Sequence, residues 1–208
     1  PGCLVEMSAA KEMEEEDFER VVEAFGEATR RARIAGYDGV QVHAAHWYLL
    51  QTFYIPYFNQ RTDEYGTQTY ENRIRLTVRV LKRVKEETRD DMALSIRFTP
   101  SWIKPDVGYP PEDGIEIAKR LYGMVDFFDV SWGYYGFTVP ATIADENYQV
   151  PWTTDLAKAV KQSTKKNIPM GVVGRIRSPD AAVSILKEGW VDMIGMVRQS
   201  IADPHWPR

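Results

Sequence analysis

A chain of 208 residues with 44% apolar and 12% aromatic content can fill a sizeable core and does not read as disordered. A formal net charge of −4 gives no electrostatic reason to meet a nucleic-acid backbone or an anionic membrane, so both partner classes drop out. The single cysteine, Cys3, excludes an internal disulfide or a CxxC metal or redox pair, and is compatible with a cytoplasmic setting.

The acidic stretch Glu12, Glu14, Glu15, Glu16 and Asp17 is the opposite of a signal peptide, and it reads as a helix start favoured by the helix dipole. No apolar run approaches membrane-spanning length. Phe18, Val21, Val22, Phe25, Ala28 and Ala32 then recur at helical spacing before Gly36, which suits the left-handed residue past a helix end. A strand is predicted at about 38–43. After a polar loop, Ile74, Thr77, Val78, Leu81 and Val84 mark a second helix, and Met92 to Arg97 a second strand. Helix three starts after Pro110-Pro111, strand three is Asp126 to Ser131, helix four follows Pro151-Trp152, and strand four is Pro169 to Val173. Helix five has Ser178 as N-cap, Pro179 at its first position and Gly189 past its end; strand five is Val191 to Met196. Strands that read as apolar on both faces, each alternating with a helix and with no linker between them, predict one domain with a parallel sheet. A barrel and a doubly wound sheet both fit that pattern.

The loops choose between them. No Gly-x-Gly-x-x-Gly run follows the first strand, and there is no Walker-type loop. The last two strands end instead in Gly174-Arg175 and in Gly195-Met196-Val197-Arg198, the latter leading into the short segment Gln199 to Asp203. Glycine lets backbone approach a phosphate, arginine adds charge, and a short helix offers free N–H groups. That arrangement matches the phosphate site that many (β/α)8 barrels build after strands seven and eight. At the end of the first strand stand His43, His46 and Tyr48, and the chain holds only three histidines. By itself a His-x-x-His pair is structural, metal-binding or catalytic. Zinc needs three or four ligands, and the other candidates, His205 and Cys3, lie far off in sequence, so no metal is assigned.

Several motifs occur in order: Lys11-Glu12-Met13; Ala35-Gly36-Tyr37-Asp38-Gly39-Val40 leading to His43-x-x-His46-x-Tyr48; Asn59 to Gly66 with Glu71-Asn72-Arg73 behind it; and Ile194 to Arg198 with Ile201-Ala202-Asp203-Pro204. From about Lys11 to Arg208 the chain thereby resembles the old yellow enzyme family of FMN-dependent oxidoreductases, in the bacterial branch that includes 2-enoate reductases and trimethylamine and histamine dehydrogenases. One departure is the four-residue segment Thr67-Gln68-Thr69-Tyr70, where the family has a three-residue turn, so a different loop course is expected there.

The resemblance implies an α/β fold, a partial TIM (β/α)8 barrel of about five C-terminal βα units with the first three strands absent, so that residues 1–208 are the C-terminal portion of a single FMN-binding domain. It places any iron–sulfur cluster and further nucleotide-binding region only in residues beyond this chain. It implies FMN as cofactor, NAD(P)H as reductant and a small-molecule substrate, and leaves open a homo-oligomer. In members that reduce activated alkenes, His43 and His46 would hold the substrate carbonyl oxygen and Tyr48 would donate a proton. Two donors aimed at an oxygen that becomes enolate-like stabilise the developing charge, and a phenol stays protonated at neutral pH yet can release its proton to a carbanion-like carbon.

The implied flavin contacts are Arg97, Gly174, Arg175, Gly195, Val197 and Arg198, with Arg97 against the pyrimidine edge. The plain alternatives are an ion-pair role for Arg97 and ordinary surface charge for Arg175 and Arg198. Trp132, Tyr134 and Tyr135 read either as a pocket wall or as a surface cluster, and Asn72 and Arg73 as scaffold for the Asn59–Gly66 loop. The expected activity is reduction of the C=C bond of an α,β-unsaturated carbonyl compound. The runner-up is an amine dehydrogenase, with those aromatics as a cation–π cage, although that branch generally has tyrosine where this chain has His43. A third reading is an inactive remnant without flavin.

Overall fold

The computed structural model describes residues 11–100, 108–133, 152–163 and 168–206. In chain order the elements are α1 (Glu15–Ile34), β1 (Gly39–Ala44), α2 (Leu49–Thr52), α3 (Tyr70–Thr88), β2 (Ala93–Phe98), α4 (Pro111–Leu121) with a 3₁₀ turn (Tyr122–Met124), β3 (Phe127–Ser131), α5 (Trp152–Ser163), β4 (Met170–Val173), α6 (Pro179–Lys187), β5 (Met193–Gly195) and α7 (Arg198–Ala202). The expected helices and strands are all present. Boundaries move by about a residue for β1 to β4, and β5 is shorter than its apolar run suggested. The cause of the first helix stop is visible: Tyr37 N–H reaches Ala32 O at 3.1 Å and Gly36 N–H reaches Arg33 O at 3.0 Å, a Schellman closure that needs Gly36 at φ 83°. At the other end of α1, the Asp17 carboxylate accepts the Glu14 N–H at 3.0 Å. Ser178 caps α6 by accepting from Ala181 N–H at 3.2 Å.

The five strands are all parallel and neighbour one another in sequence order, β1-β2-β3-β4-β5. A doubly wound sheet would reverse direction at a switch point. Here there is none. Register aligns His43, Arg97, Asp129, Gly171 and Met193 in one row across the sheet, with Ser131, Val173 and Gly195 in a second row nearer the strand ends.

On β1 to β3 the two faces differ, which corrects the expectation of strands apolar on both; β4 and β5 carry no polar side chain and meet it. Val42, Ala44, Leu94, Ile96, Phe98, Phe128, Val130, Met170 and Val172 are buried and belong to the core. The alternate positions Gln41, His43, Ser95 and Arg97 are exposed or half-buried. A side chain such as Leu94 or Ile96, fully buried, contributes about 1.5–3 kcal/mol, so the helix-covered face carries the stability and the polar face is free for chemistry. The ring of Phe98 meets Phe128 edge-on at 5.5 Å, and Phe18 stacks on Tyr65 at 3.9 Å.

Outside the sheet, α1 and α3 are joined by charge. Arg79 bonds Glu15 at 2.7 Å and also Glu19, while Arg83 bonds Glu23 at 3.1 Å and, within α3 itself, Glu87 at 2.8 Å. Both residue series ascend together, so the helices run in the same direction. The Arg83 guanidinium lies against Gly26, where a Cβ would stand 2.7 Å from its Cζ.

Candidate active site

Every strand end with a sequence-predicted site residue lies on the same rim. His43 is the fifth residue of β1 and Arg97 the fifth of β2, in register; Gly174 follows β4 directly, and Gly195 ends β5. Beyond β1 the backbone turns through two successive left-handed residues, His46 at φ 58° and Trp47 at φ 63°. This is a costly conformation for non-glycine side chains and persists only where its surroundings enforce it. A buried relay does so: Trp47 N–H donates to Gln51 Oε1 at 2.8 Å, Gln51 Nε2 donates to Tyr109 Oη at 3.0 Å, and Tyr109 Oη donates to Thr99 O. Gln51 is only 1% exposed, and burial pushes the Tyr109 phenol up, keeping it a donor.

The kink gathers the predicted trio. The His43 ring lies 5.1 Å from that of His46 and 5.1 Å from that of Tyr48, centroid to centroid. Tyr48 is the N-cap residue of α2 and is 50% exposed. His46 reaches over the end of β2 to β3, where its Nε2 lies 2.7 Å from Ser131 Oγ. Burial lowers the pKa of both imidazoles. For His43 the nearby Arg97 charge adds to the effect; for His46, burial followed by His43 and Arg97 brings the value to about 4. At neutral pH both rings are therefore uncharged, each with one N–H to donate.

Beside the trio, Arg97 is in an ion pair with Asp129, through Nε at 2.8 Å and Nη2 at 2.7 Å. The plain ion-pair partner considered for Arg97 is thus real. The contact uses one edge of the guanidinium, and the side chain keeps 33% exposure on the polar face. Asp129, Ser131, Gln41 and Gln51 are the participants that the sequence reading missed.

The loop behind the trio closes on itself. Asn59 Nδ2 donates to Phe53 O at 3.0 Å and to Tyr65 O at 2.7 Å, and Arg61 donates to Met13 O at 2.9 Å. Asn72 and Arg73 are scaffold, as expected: Asn72 N–H is capped by Thr69 at 3.1 Å, and Arg73 bonds Thr67 O at 3.1 Å and Asp113 at 2.7 Å. Trp132 is buried just past β3, whereas Tyr134 and Tyr135 lie outside the described residues.

At the other end of the rim, Gly174 has φ 130° with open space where a Cβ would project, and Arg175 follows at φ 52°. Its Nε and Nη1 are buried with no hydrogen-bond partner among the described residues. Buried guanidinium nitrogens without acceptors are matched by an anion, so these residues fit a flavin phosphate. Gly195 has a separate reason to be glycine, since a Cβ there would lie 3.1 Å from that of Val173. Val197 and Arg198 are exposed at the start of the five-residue α7. No helix among the described residues is long and apolar enough to cross a membrane.

Comparison with known proteins agrees with this geometry. The chain is 34% identical over 199 residues to an NADH oxidase of Thermoanaerobacter brockii, covering 95% of this chain and 30% of that protein. It is 36% identical over 205 residues to an N,N-dimethylglycine/sarcosine dehydrogenase of Chromohalobacter salexigens, covering 97% and 29%. It superposes on a 2-naphthoyl-CoA reductase complex with a TM-score of 0.86 at 30% identity, over 95% of this chain and 30% of that one. The chain thus spans about three tenths of the length of these relatives. Its sheet is a partial TIM (β/α)8 barrel of five units. A profile of the NADH:flavin oxidoreductase / NADH oxidase family matches residues 2–208, and the chain belongs to that family, the old yellow enzyme group of flavoproteins.

Proposed function

We propose that residues 1–208 form the C-terminal portion of one FMN-binding barrel, in an oxidoreductase that uses NAD(P)H to reduce the activated C=C bond of an α,β-unsaturated carbonyl compound. The observation that carries this reading is the cluster of two neutral imidazoles and an exposed phenol beside Arg97 on the polar face of the sheet. When bound, FMN supplies a two-electron relay, taking hydride from NAD(P)H and giving hydride to the β-carbon, so that with one proton the C=C becomes CH–CH and NAD(P)⁺ is left.

The chain's own residues do the rest. His43 and His46 donate to the carbonyl oxygen and stabilise the negative charge that grows on it. Uncharged rings suit the task, because donation then needs no prior protonation. Ser131 holds the His46 ring, and the Gln51 relay holds the backbone turn next to it at Trp47. Tyr48 passes its proton to the α-carbon, opposite in role to the oxygen-holding pair. Arg97 stands at the pyrimidine edge, and Gly174, Arg175, Gly195, Val197 and Arg198 hold the phosphate end. A cytoplasmic setting accords with the lone cysteine.

The amine-dehydrogenase reading is the second, supported by the relative that acts on N,N-dimethylglycine or sarcosine and by the buried Trp132 beside the rim. The absorbance spectrum of the purified protein tests both against a flavin-free remnant: bound FMN colours it yellow. Bleaching by NAD(P)H followed by recovery on adding an enone supports the first reading. Bleaching by a secondary or tertiary amine, without nicotinamide, overturns it in favour of the second.

A further inference from the structure

The polar face holds a charged group that the proposed reaction leaves unused. Asp129 is 6% exposed, and a single one of its oxygens, Oδ2, accepts from Arg97 Nε at 2.8 Å, from Arg97 Nη2 at 2.7 Å and from Gln41 Nε2 at 3.2 Å. Gly171 on β4 faces its other oxygen, since a Cβ there would lie 3.3 Å from Oδ1. Through these contacts the carboxylate is paired with the guanidinium and cancels part of the arginine's charge. The pair does two separable things: it anchors Arg97 by one edge, and it sets how positive that side chain is toward anything lying on the open side of the sheet.

We propose that Asp129 is a positioning residue that, through Arg97, sets the reduction potential of the bound flavin and thereby divides rate between the two half-reactions. This rests on the reading of Arg97 as a flavin contact. An unpaired arginine at the pyrimidine edge favours the anionic reduced ring; an arginine shared with a carboxylate favours it less. Gln41 belongs to the same device. By donating to Oδ2 it disperses the carboxylate charge and leaves more of the arginine's charge uncompensated.

The test uses the FMN-loaded protein. Asp129→Asn keeps an oxygen for Arg97 to bond and removes the negative charge. The midpoint potential of the flavin moves upward; reduction by NAD(P)H becomes several-fold faster and reoxidation by an enone several-fold slower. A purely structural role slows both half-reactions and gives no such opposition. Gln41→Leu, which removes the donor to Asp129 Oδ2, shifts the potential the other way and reverses the rate pattern. An unchanged or lowered potential in Asp129→Asn, or two half-reactions slowed together, overturns the proposal, and so does an unshifted Gln41→Leu. Arg97→Ala separates the two levels. If it leaves the potential unchanged, the flavin-contact reading of Arg97 fails; if it shifts the potential while Asp129→Asn does not, only the role given to Asp129 fails.

Discussion

Replacing Gln51 by leucine isolates the relay that holds the kink at His46 and Trp47. The substitution keeps most of the buried volume and removes both polar ends. Trp47 N–H loses its 2.8 Å acceptor and Tyr109 Oη loses a 3.0 Å donor, while Tyr109 still bonds Thr99 O. A desolvated N–H left without its acceptor costs about 1–3 kcal/mol, and the second bond about 0.5–1.5 kcal/mol. The expected destabilisation is therefore about 1.5–4.5 kcal/mol, read as a lower urea midpoint at unchanged m. Two left-handed residues, each costing about 1–3 kcal/mol, would then be free to relax. Enone turnover falls further than stability alone explains, because His46 leaves Ser131 while the flavin and its phosphate site are untouched. A loss under about 0.5 kcal/mol with normal turnover would refute the claim that this relay enforces the kink.

Tyr48→Phe keeps the ring and loses the acid, so reduction by nicotinamide survives while reoxidation by an enone slows by roughly two to four orders of magnitude; quinones, whose reduced products need no carbon protonation, are spared, and equal slowing of both acceptors would remove Tyr48 from the proton-transfer step. His43→Ala or His46→Ala weakens enone binding and hydride transfer by about 1–3 kcal/mol, measured by titrating substrate and by stopped-flow reoxidation; normal values would return the pair to a structural role. Arg175→Ala lowers affinity for FMN while leaving riboflavin affinity unchanged, and equal loss for both ligands would detach Arg175 from the phosphate. For His46 the folded pKa, about 4, lies below its ordinary 6.5. As pH falls from about 6.5 toward 4 the unfolded chain takes up a proton that the folded one refuses, so stability is lost across that window, by at most about 3 kcal/mol, and is complete above it. Denaturation midpoints at several pH values check this, with His46→Gln expected to flatten the slope; an unchanged slope would show that His46 titrates normally.

The alternation of helix and strand was legible because the helix-facing positions of each strand are apolar and the turns carry Gly36, Ser178-Pro179 and Gly189 where local chemistry requires them. The trio was legible because its residues fall within one short segment. Strand polarity was misread: in Gly39–Ala44 and Ala93–Phe98 the apolar residues alternate with Gln41, His43, Ser95 and Arg97, and these mark the face that the helices do not cover. What supports the trio was not legible, since Asp129 lies 32 residues from Arg97, Ser131 lies 85 from His46, and Tyr109 lies 58 from Gln51. Only strand register brings the first two together. The left-handed turn at His46-Trp47 had no sequence signal, because neither residue is glycine or asparagine.

The charged seam between α1 and α3 has a degeneracy of its own. Arg79 already bonds both Glu15 and Glu19, and Glu23 follows four residues on, so sliding one helix along the other by a turn, about 5.4 Å, would re-form much of the same pairing. Attraction of this kind brings the helices together but does not index them. Gly26 does. Its missing side chain leaves a notch that the Arg83 guanidinium fills, and a turn's slip would move that guanidinium off the notch and over residues that have a Cβ. Substitutions among the glutamates of this seam should therefore change its strength and its sensitivity to salt, whereas a side chain at residue 26 should push the flexible Arg83 side chain out of its notch and weaken its pairing with Glu23.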